Sequence, residues 1–444
     1  MAASGASALG SPAEHPFGTA FTAGTGKIFW DLASRSLGFV LSVVIARRLG
    51  ASGYGAFAVY WYSAWMPSQA TDLGIHLVSL RALSQSSEVE VRRMLRSAAL
   101  AKAALTAVVL AALALVLFSE AGGLLSFELR LAAVLVAAHL LGSWVEFFGV
   151  VLRSRGRISR EGFLLMALRL SWLASALWIL SRGGGLEALG TALALSSVPA
   201  LALAVALLAK GGWLGGVSRS SPQRIETGRL LKEALPLGIV SAITLVYLRA
   251  DLLIVSALRD AAEAGLFQSA FRLFEATFVV SGGIAAGTFP LLAARMGQKG
   301  FDSLSRFVLA FLAMVALPLA SAFALAPGLI LGLVYGDGFQ RAARPLAFLG
   351  IALVAVFANA LTTHLLVAAG RNRRLIGAVS TRLLVGLVLD VLLVPRWGAA
   401  GAAIAVAGAE WSLLAVSLFW TADLLGFSFA PRRGVSREEV SPCS

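Results

Sequence analysis

Four charged side chains lie inside apolar stretches where charge is expensive. Arg249 and Asp251 interrupt VYLRADLLIVSAL (246–258), and Arg272 and Glu275 interrupt FQSAFRLFEATF (267–278). A guanidinium offers a rigid fork of donors that matches phosphate or carboxylate and stays charged in any environment. A carboxylate in such a place is either the partner of a cation or a carrier of one. Residues two apart on a helix project ~200° apart, so Arg249 and Asp251 serve different faces. Arg272 and Glu275 are three apart and share one face. At 1.5 Å per residue, Arg249 and Arg272 lie at similar depth, ~13 Å and ~12 Å from the ends of two helices joined by a tight turn. The spacing predicts an interhelical pair between Asp251 and Arg272, which leaves Arg249 to face a cavity. Asp31 and Arg35 are four apart, as are Asp72 and His76; His364 stands alone in a long apolar run. His139, Glu146, Arg169, Asn359, Arg382, Asp390 and Glu410 are further polar groups in apolar surroundings. The alternative for each is an interhelical contact that holds the bundle, or a side chain that snorkels to the headgroups.

These residues need a membrane bundle to position them. The chain of 444 residues is 58% hydrophobic and 14% charged, against about 25% charged in soluble domains. Its mean hydropathy is +0.84. Apolar runs of ~20 residues, each long enough to cross a ~30 Å hydrocarbon core, recur along the chain. About twelve are expected, near 28–47, 54–80, 97–118, 130–152, 162–181, 187–209, 234–258, 264–292, 304–326, 344–369, 374–394 and 399–425. The fold class is therefore all-α integral membrane. The net charge of +14 does not point to nucleic acid, because Lys and Arg cluster between the apolar runs. Cys443 is the only cysteine, so no intrachain disulfide is possible.

The links alternate in charge. Arg92, Arg93 and Arg96, then Arg153–Arg160, the stretch 210–233, then Arg295–Arg306 and Arg371–Arg374 are basic; the links between them are short and poorer in positive charge. Positive charge stays cytoplasmic, which places both termini inside. Residues 1–26 and 426–444 read as cytoplasmic tails, the first disordered, with 210–233 as a cytoplasmic linker. No loop on the other face is large enough to fold as a domain. No Asp-x-Asp, Walker or HExxH pattern is present, so no catalytic residue, metal or cofactor is assigned.

Three short patterns recur. Ala51–Phe57 (ASGYGAF) matches Ala261–Phe267 (AAEAGLF) at an offset of 210, and GRxxR at Gly156 recurs at Gly370 at an offset of 214. Gly190–Leu195 (GTALAL) recurs as Gly401–Val406 (GAAIAV) at an offset of 211. The matches divide the chain into six-helix lobes at 27–209 and 234–425. Both have the same membrane orientation and are related by an axis along the membrane normal.

In ARRLGASGYGAFAVY (46–60), YLRADLLIVSALRDAAEAGLFQSAFRLFE (247–275), LAPGLILGLVYGDGFQRAARPLAFLG (325–350) and AAGRNRRLIGAVSTRLLVGLVLDVLLVPRWGAAGAAIA (368–405), the chain resembles a known family. This is the polysaccharide-transport, Wzx-type flippases of the MOP superfamily, which also holds the MATE exporters and the lipid II flippases. The resemblance covers about 27–425. It implies a two-lobed, V-shaped bundle that moves a polyprenyl-pyrophosphate-linked oligosaccharide by alternating access in the bacterial inner membrane. The implied cargo is an O-antigen, capsule or exopolysaccharide repeat unit. The implied partners are this cargo, membrane lipids, a glycan polymerase and glycosyltransferases. Under it, Arg249 and Arg272, with Arg35 nearer the inner mouth, bind the anionic head. Asp31, Asp72, His76, Asp251, Glu275 and His364 are candidates for coupling or gating. A MATE-like cation-coupled exporter of small organic molecules is the alternative within transport. An integral-membrane enzyme of envelope glycan synthesis is the alternative outside it.

Overall fold

The computed structural model describes residues 16–119, 127–213 and 249–426, with isolated positions between 228 and 238. All regular structure in them is helical: α1 (Pro16–Ala70), α2 (Ile75–Gln85), α3 (Glu88–Ser119), α4 (Phe127–Ser154), α5 (Ile158–Ser181), α6 (Leu186–Lys210), α7 (Ala261–Ala276), α8 (Phe278–Arg295), α9 (Phe301–Leu325), α10 (Pro327–Tyr335), a 3₁₀ turn (Asp337–Ala342), α11 (Ala343–Ala368) and α12 (Asn372–Thr421). Residues 249–258 are also helical. Helices satisfy their own backbone, which is what a lipid interior demands.

Nine stretches among the described residues are long and apolar enough to span a membrane. Two of them carry a non-helical glycine in the middle, Gly50 at φ 68 in α1 and Gly398 at φ 54 in α12. Both breaks coincide with links read from the sequence. The predicted seventh span, its linker at 210–233 and the tail at 427–444 fall largely or wholly outside the described residues. Three local expectations change. The chain is helical from Pro16, where composition suggested a tail to residue 26. The link before α11 folds as a short apolar helix and a 3₁₀ turn. The expected span 264–292 is split at Thr277.

The chain forms two compact units. Unit 1 holds residues 1–42 and 63–243; unit 2 holds 43–62 and 244–444. The stretch of α1 around Gly50 thus belongs with unit 2. In unit 1, α4 is the central helix and packs on α2, α3, α5 and α6. In unit 2, α11 has that place, packing on α7, α8, α9 and α12. Their apolar stretches are 67% and 56% buried, against 33% or less for every other span. They are the fourth and tenth expected spans, the equivalent position in each half. The outer helices instead expose apolar side chains such as Val108, Leu115 and Phe118 of α3, the residues a helix presents to lipid.

Two of the repeated patterns have a visible structural job. Gly156 and Gly370 both end a helix in the left-handed region, at φ 70 and φ 69. The backbone bonds made by each glycine and by the arginine after it match. Arg157 N donates to Leu152 O at 2.9 Å, and Arg371 N donates to Leu366 O at 2.8 Å. These are glycine-terminated helix ends that aim an arginine back at its unit. Arg157 stacks on Trp213 just after α6, with its Cζ 4.6 Å from the ring centre. Arg371 donates to Trp420 O at 2.7 Å and to Asp423 at the end of α12. The other pattern packs on its own copy inside unit 2. A Cβ on Gly55 would lie 2.6 Å from Gly265 N, and one on Gly265 would lie 2.9 Å from Gly55 N. Small residues here let two helix backbones touch.

Candidate functional site

Unit 2 gathers the charges that opened the sequence reading, in a different pairing from the expected one. Glu275 accepts from both arginines: Arg249 Nη2 reaches its Oε1 at 2.8 Å and Arg272 Nη1 reaches its Oε2 at 2.7 Å. The predicted Asp251–Arg272 pair does not form. The i,i+3 spacing already seats Glu275 beside Arg272, and the carboxylate has a second oxygen for Arg249. Arg249 is therefore not a free cavity charge. It is 7% exposed, and its guanidinium lies 4.0 Å from the ring centre of Tyr62, a cation–π contact. Tyr62, from the aromatic stretch VYWYSAW (59–65), is buried and accepts from Gln268 Nε2 at 3.3 Å. Two guanidiniums on one carboxylate leave one positive charge. The Nε atoms of Arg249 and Arg272 are buried without a hydrogen-bond partner among the described residues.

Asp251 turns away from Arg272 and makes a carboxyl–carboxyl contact with Asp390 of α12. Asp390 is fully buried, and neither of its oxygens receives an N–H or hydroxyl donor from the described residues. Two ionised carboxylates would repel each other at this contact. Beside them, Arg382 pairs with Glu410, which also accepts from Asn359 Nδ2 at 3.0 Å. Arg382 and Arg249 both act on Asp251 electrostatically. The sites form one network across the 249–258 helix, α7, α11 and α12.

The other candidates separate. Asp72 and His76 do come together, with Nδ1 3.3 Å from Oδ1, at a break in the helix of unit 1. Asp31 and Arg35 lie on the unit 1 part of α1, Asp31 half-buried and Arg35 exposed. His364 stands apart from the charge network. Its Nδ1 bonds the Ala360 carbonyl one turn back, and its ring lies edge-on to Phe289 at 5.5 Å. Sequence reasoning missed Lys102 of α3. It is fully buried, with Nζ 2.7 Å from Ser143 Oγ and 3.4 Å from Thr71 Oγ1. Its signal was a lone lysine in the run AALAKAALTAVV, which resembles a side chain able to snorkel.

The described residues contain no group of three or more His, Cys, Asp or Glu side chains able to hold a metal. What the fold defines is a helical membrane protein with buried, paired charge. The comparisons with known proteins agree. The profile of the polysaccharide biosynthesis protein family matches residues 28–296, and the chain belongs to that family. The probable low-salt glycan biosynthesis flippase Agl15 of Haloferax volcanii is 23% identical over 382 residues, covering 85% of this chain and 78% of the relative. The inward closed lipid II flippase MurJ superposes with a TM-score of 0.65 at 13% identity, covering 90% of each chain. An inward-facing multidrug resistance MATE transporter of the MOP superfamily gives 0.65 at 15% identity, over 90% of this chain and 96% of that one. The fold is thus shared by glycan-lipid flippases and drug exporters, and the site has to discriminate between them.

Proposed function

We propose that the protein carries a lipid-linked glycan, a sugar chain on a polyprenyl pyrophosphate, from the cytoplasmic to the outer leaflet. It works as a transporter and not as an enzyme. The observation that carries this is the Arg249–Glu275–Arg272 cluster, in which two guanidiniums share one carboxylate and both Nε donors are buried without a hydrogen-bond partner among the described residues. A diphosphate supplies acceptors of the right charge and geometry for such a fork. The glycan relative adds support from outside the site. The finer reading is a repeat unit of O-antigen, capsule or exopolysaccharide, moved by alternating access between two six-helix lobes in a bacterial inner membrane with both termini cytoplasmic. A polymerase and glycosyltransferases act on either side of the transport step. Arg35 is a secondary anion contact. Coupling falls to the groups that can change charge: the Asp251–Asp390 pair first, with Asp31, Asp72, His76, Glu275 and His364 as the other candidates.

The cation-coupled exporter remains the second reading because of one observation, the buried carboxyl pair, since acidic groups suit cationic cargo. The test is surface glycan in a deletion strain complemented with each variant at matched protein level. Arg249→Ala is expected to abolish delivery and Arg249→Lys to keep part of it. The shared carboxylate favours this test: when Arg249 is removed, Glu275 still holds Arg272 and keeps a direct ionic partner. Normal delivery by Arg249→Ala would sink the anion site. Exchanging Asp251 with Arg272 is expected to give no mutual rescue, because the two do not touch.

A further inference from the structure

We propose that Lys102 is a proton-binding site inside unit 1, taking up and releasing one proton whose charge is felt by the broken turn Thr71–Gly74. This site is separate from the arginine cluster of unit 2 and does not depend on what cargo that cluster binds.

The partners of Lys102 fit a group that changes charge. Its ammonium is fully buried, so it does not snorkel. The atoms in hydrogen-bond contact are neutral hydroxyls, Ser143 at 2.7 Å and Thr71 at 3.4 Å. The Ser143 hydroxyl can accept from an ammonium and donate to the lone pair of an amine, while Thr71, which donates to Ser68 O at 2.6 Å, only accepts. A carboxylate in contact would hold the charged form, and among the described residues none lies within ion-pair distance. Asp72 and Glu146 act on it only from further away. The rings of Trp144 and Phe147, 5.8 Å and 6.0 Å from Nζ, favour the cation. Lysine can lose its proton in such a place, whereas arginine cannot. On release the N–H bond breaks, the electron pair stays on nitrogen, and the proton passes to Asp72 or water.

The other charged groups facing the site are accounted for. Asp72 and His76 come from the turn and the start of α2. Glu146 and Arg153 come from α4, and Arg169 of α5 donates to Glu146 at 3.4 Å. Arg153 is held by Glu161 at 3.6 Å. The His76 ring stacks on Phe147 at 6.0 Å, and its Nε2 is buried without a hydrogen-bond partner among the described residues.

The turn is what makes the proton matter. Leu73, at φ 36, is the only described residue other than glycine with a positive φ, and Gly238 packs so closely that a Cβ there would sit 2.6 Å from the Leu73 backbone. Strained backbone of this kind persists only where its surroundings hold it, and such positions cluster at switches. With Lys102 charged, the Asp72 carboxylate has a counter-charge across Thr71. With Lys102 neutral, Asp72 and Glu146 repel each other with no cation between them. Proton binding and turn geometry are therefore linked, and each biases the other.

The test needs no cargo. The purified full chain in lipid nanodiscs is titrated with pH while tryptophan emission is followed, and the Trp144→Phe titration is subtracted because the chain has ten tryptophans. One step is expected in this difference. The same subtraction is made in each Lys102 background. Lys102→Met, which has no proton to lose, and Lys102→Arg, which never loses one, should both abolish the step. His76→Gln should retain it. If Lys102→Met does not fold, Lys102→Arg keeps the charge and is read in its place. Absence of a step in the native difference, its survival in either Lys102 variant, or its loss in His76→Gln overturns the proposal.

Discussion

The two units bury charge in opposite ways. Unit 2 pairs it densely: three arginines and four carboxyl groups lie close together, most with a direct ionic partner. Unit 1 spreads it: Lys102 rests on hydroxyls and aromatic rings, while its acids stand off or pair with half-exposed arginines such as Arg169. Dense pairing makes a unit rigid and costly to break, because each removed group strands another in a low-polarity interior. Loose pairing leaves a charge free to change with little structural penalty. The proposed anion site thus lies in the densely paired unit, and the proposed proton site at Lys102 lies in the loosely paired one.

The largest expected effect comes from Glu410→Ala in unit 2. It removes the carboxylate that Arg382 pairs with, leaving Asn359 only the backbone carbonyl of residue 410, and should cost about 3–5 kcal/mol, read as a large drop in the thermal unfolding temperature of the purified protein. Glu146→Ala, the matching change in unit 1, removes a partly exposed acid from a 3.4 Å pair and should stay within about 1 kcal/mol. Equal losses would erase the distinction between the units.

Next in size is a contrast inside α1. Gly55 meets the backbone of Ala261 and Gly265 in unit 2, whereas a Cβ on Gly38 in unit 1 would meet nothing. Gly55→Ala should destabilise by about 1–3 kcal/mol and lower membrane abundance; Gly38→Ala should not. Comparable abundance of the two variants would deny that the repeated glycines form a close contact.

The smallest effect concerns the two helix-end arginines. Hydrogen bonds from Arg371 hold the Asp423 carboxyl below the usual carboxylate range, while Arg157 uses the Trp213 ring, which does not titrate. Because the folded state lowers the affinity of Asp423 for a proton, its contribution is present above the unfolded carboxylate value, near 4, and is lost as pH falls through the folded one. Acidification across that window should lower the unfolding temperature of the native chain slightly more than that of Asp423→Asn. Trp213→Ala should weaken unit 1 to the same extent at every pH. An identical acid response in native protein and Asp423→Asn would show that the ion pair contributes nothing.

Much of this was legible from the chain alone. Span positions follow from apolar length, because a bilayer imposes one thickness on every crossing. The GRxxR copies announced equivalent helix ends, because a left-handed turn requires glycine and leaves the same local signature wherever it occurs. Local spacing also put Glu275 on the face of Arg272 and Asp72 beside His76. Partners from different helices were not legible. Helical periodicity states which residues share a face but not which face of another helix it meets. So spacing pairs Asp251 with Arg272, where Glu275 already fills that place, and gives no sign that Tyr62 lies under the Arg249 guanidinium. Only packing decided that Asp251 meets Asp390, that Glu275 bridges two arginines and that Lys102 is sealed among hydroxyls and rings. The cost of a buried charge depends on atoms a few ångströms away in space, and those atoms come from residues tens to hundreds of positions away in sequence.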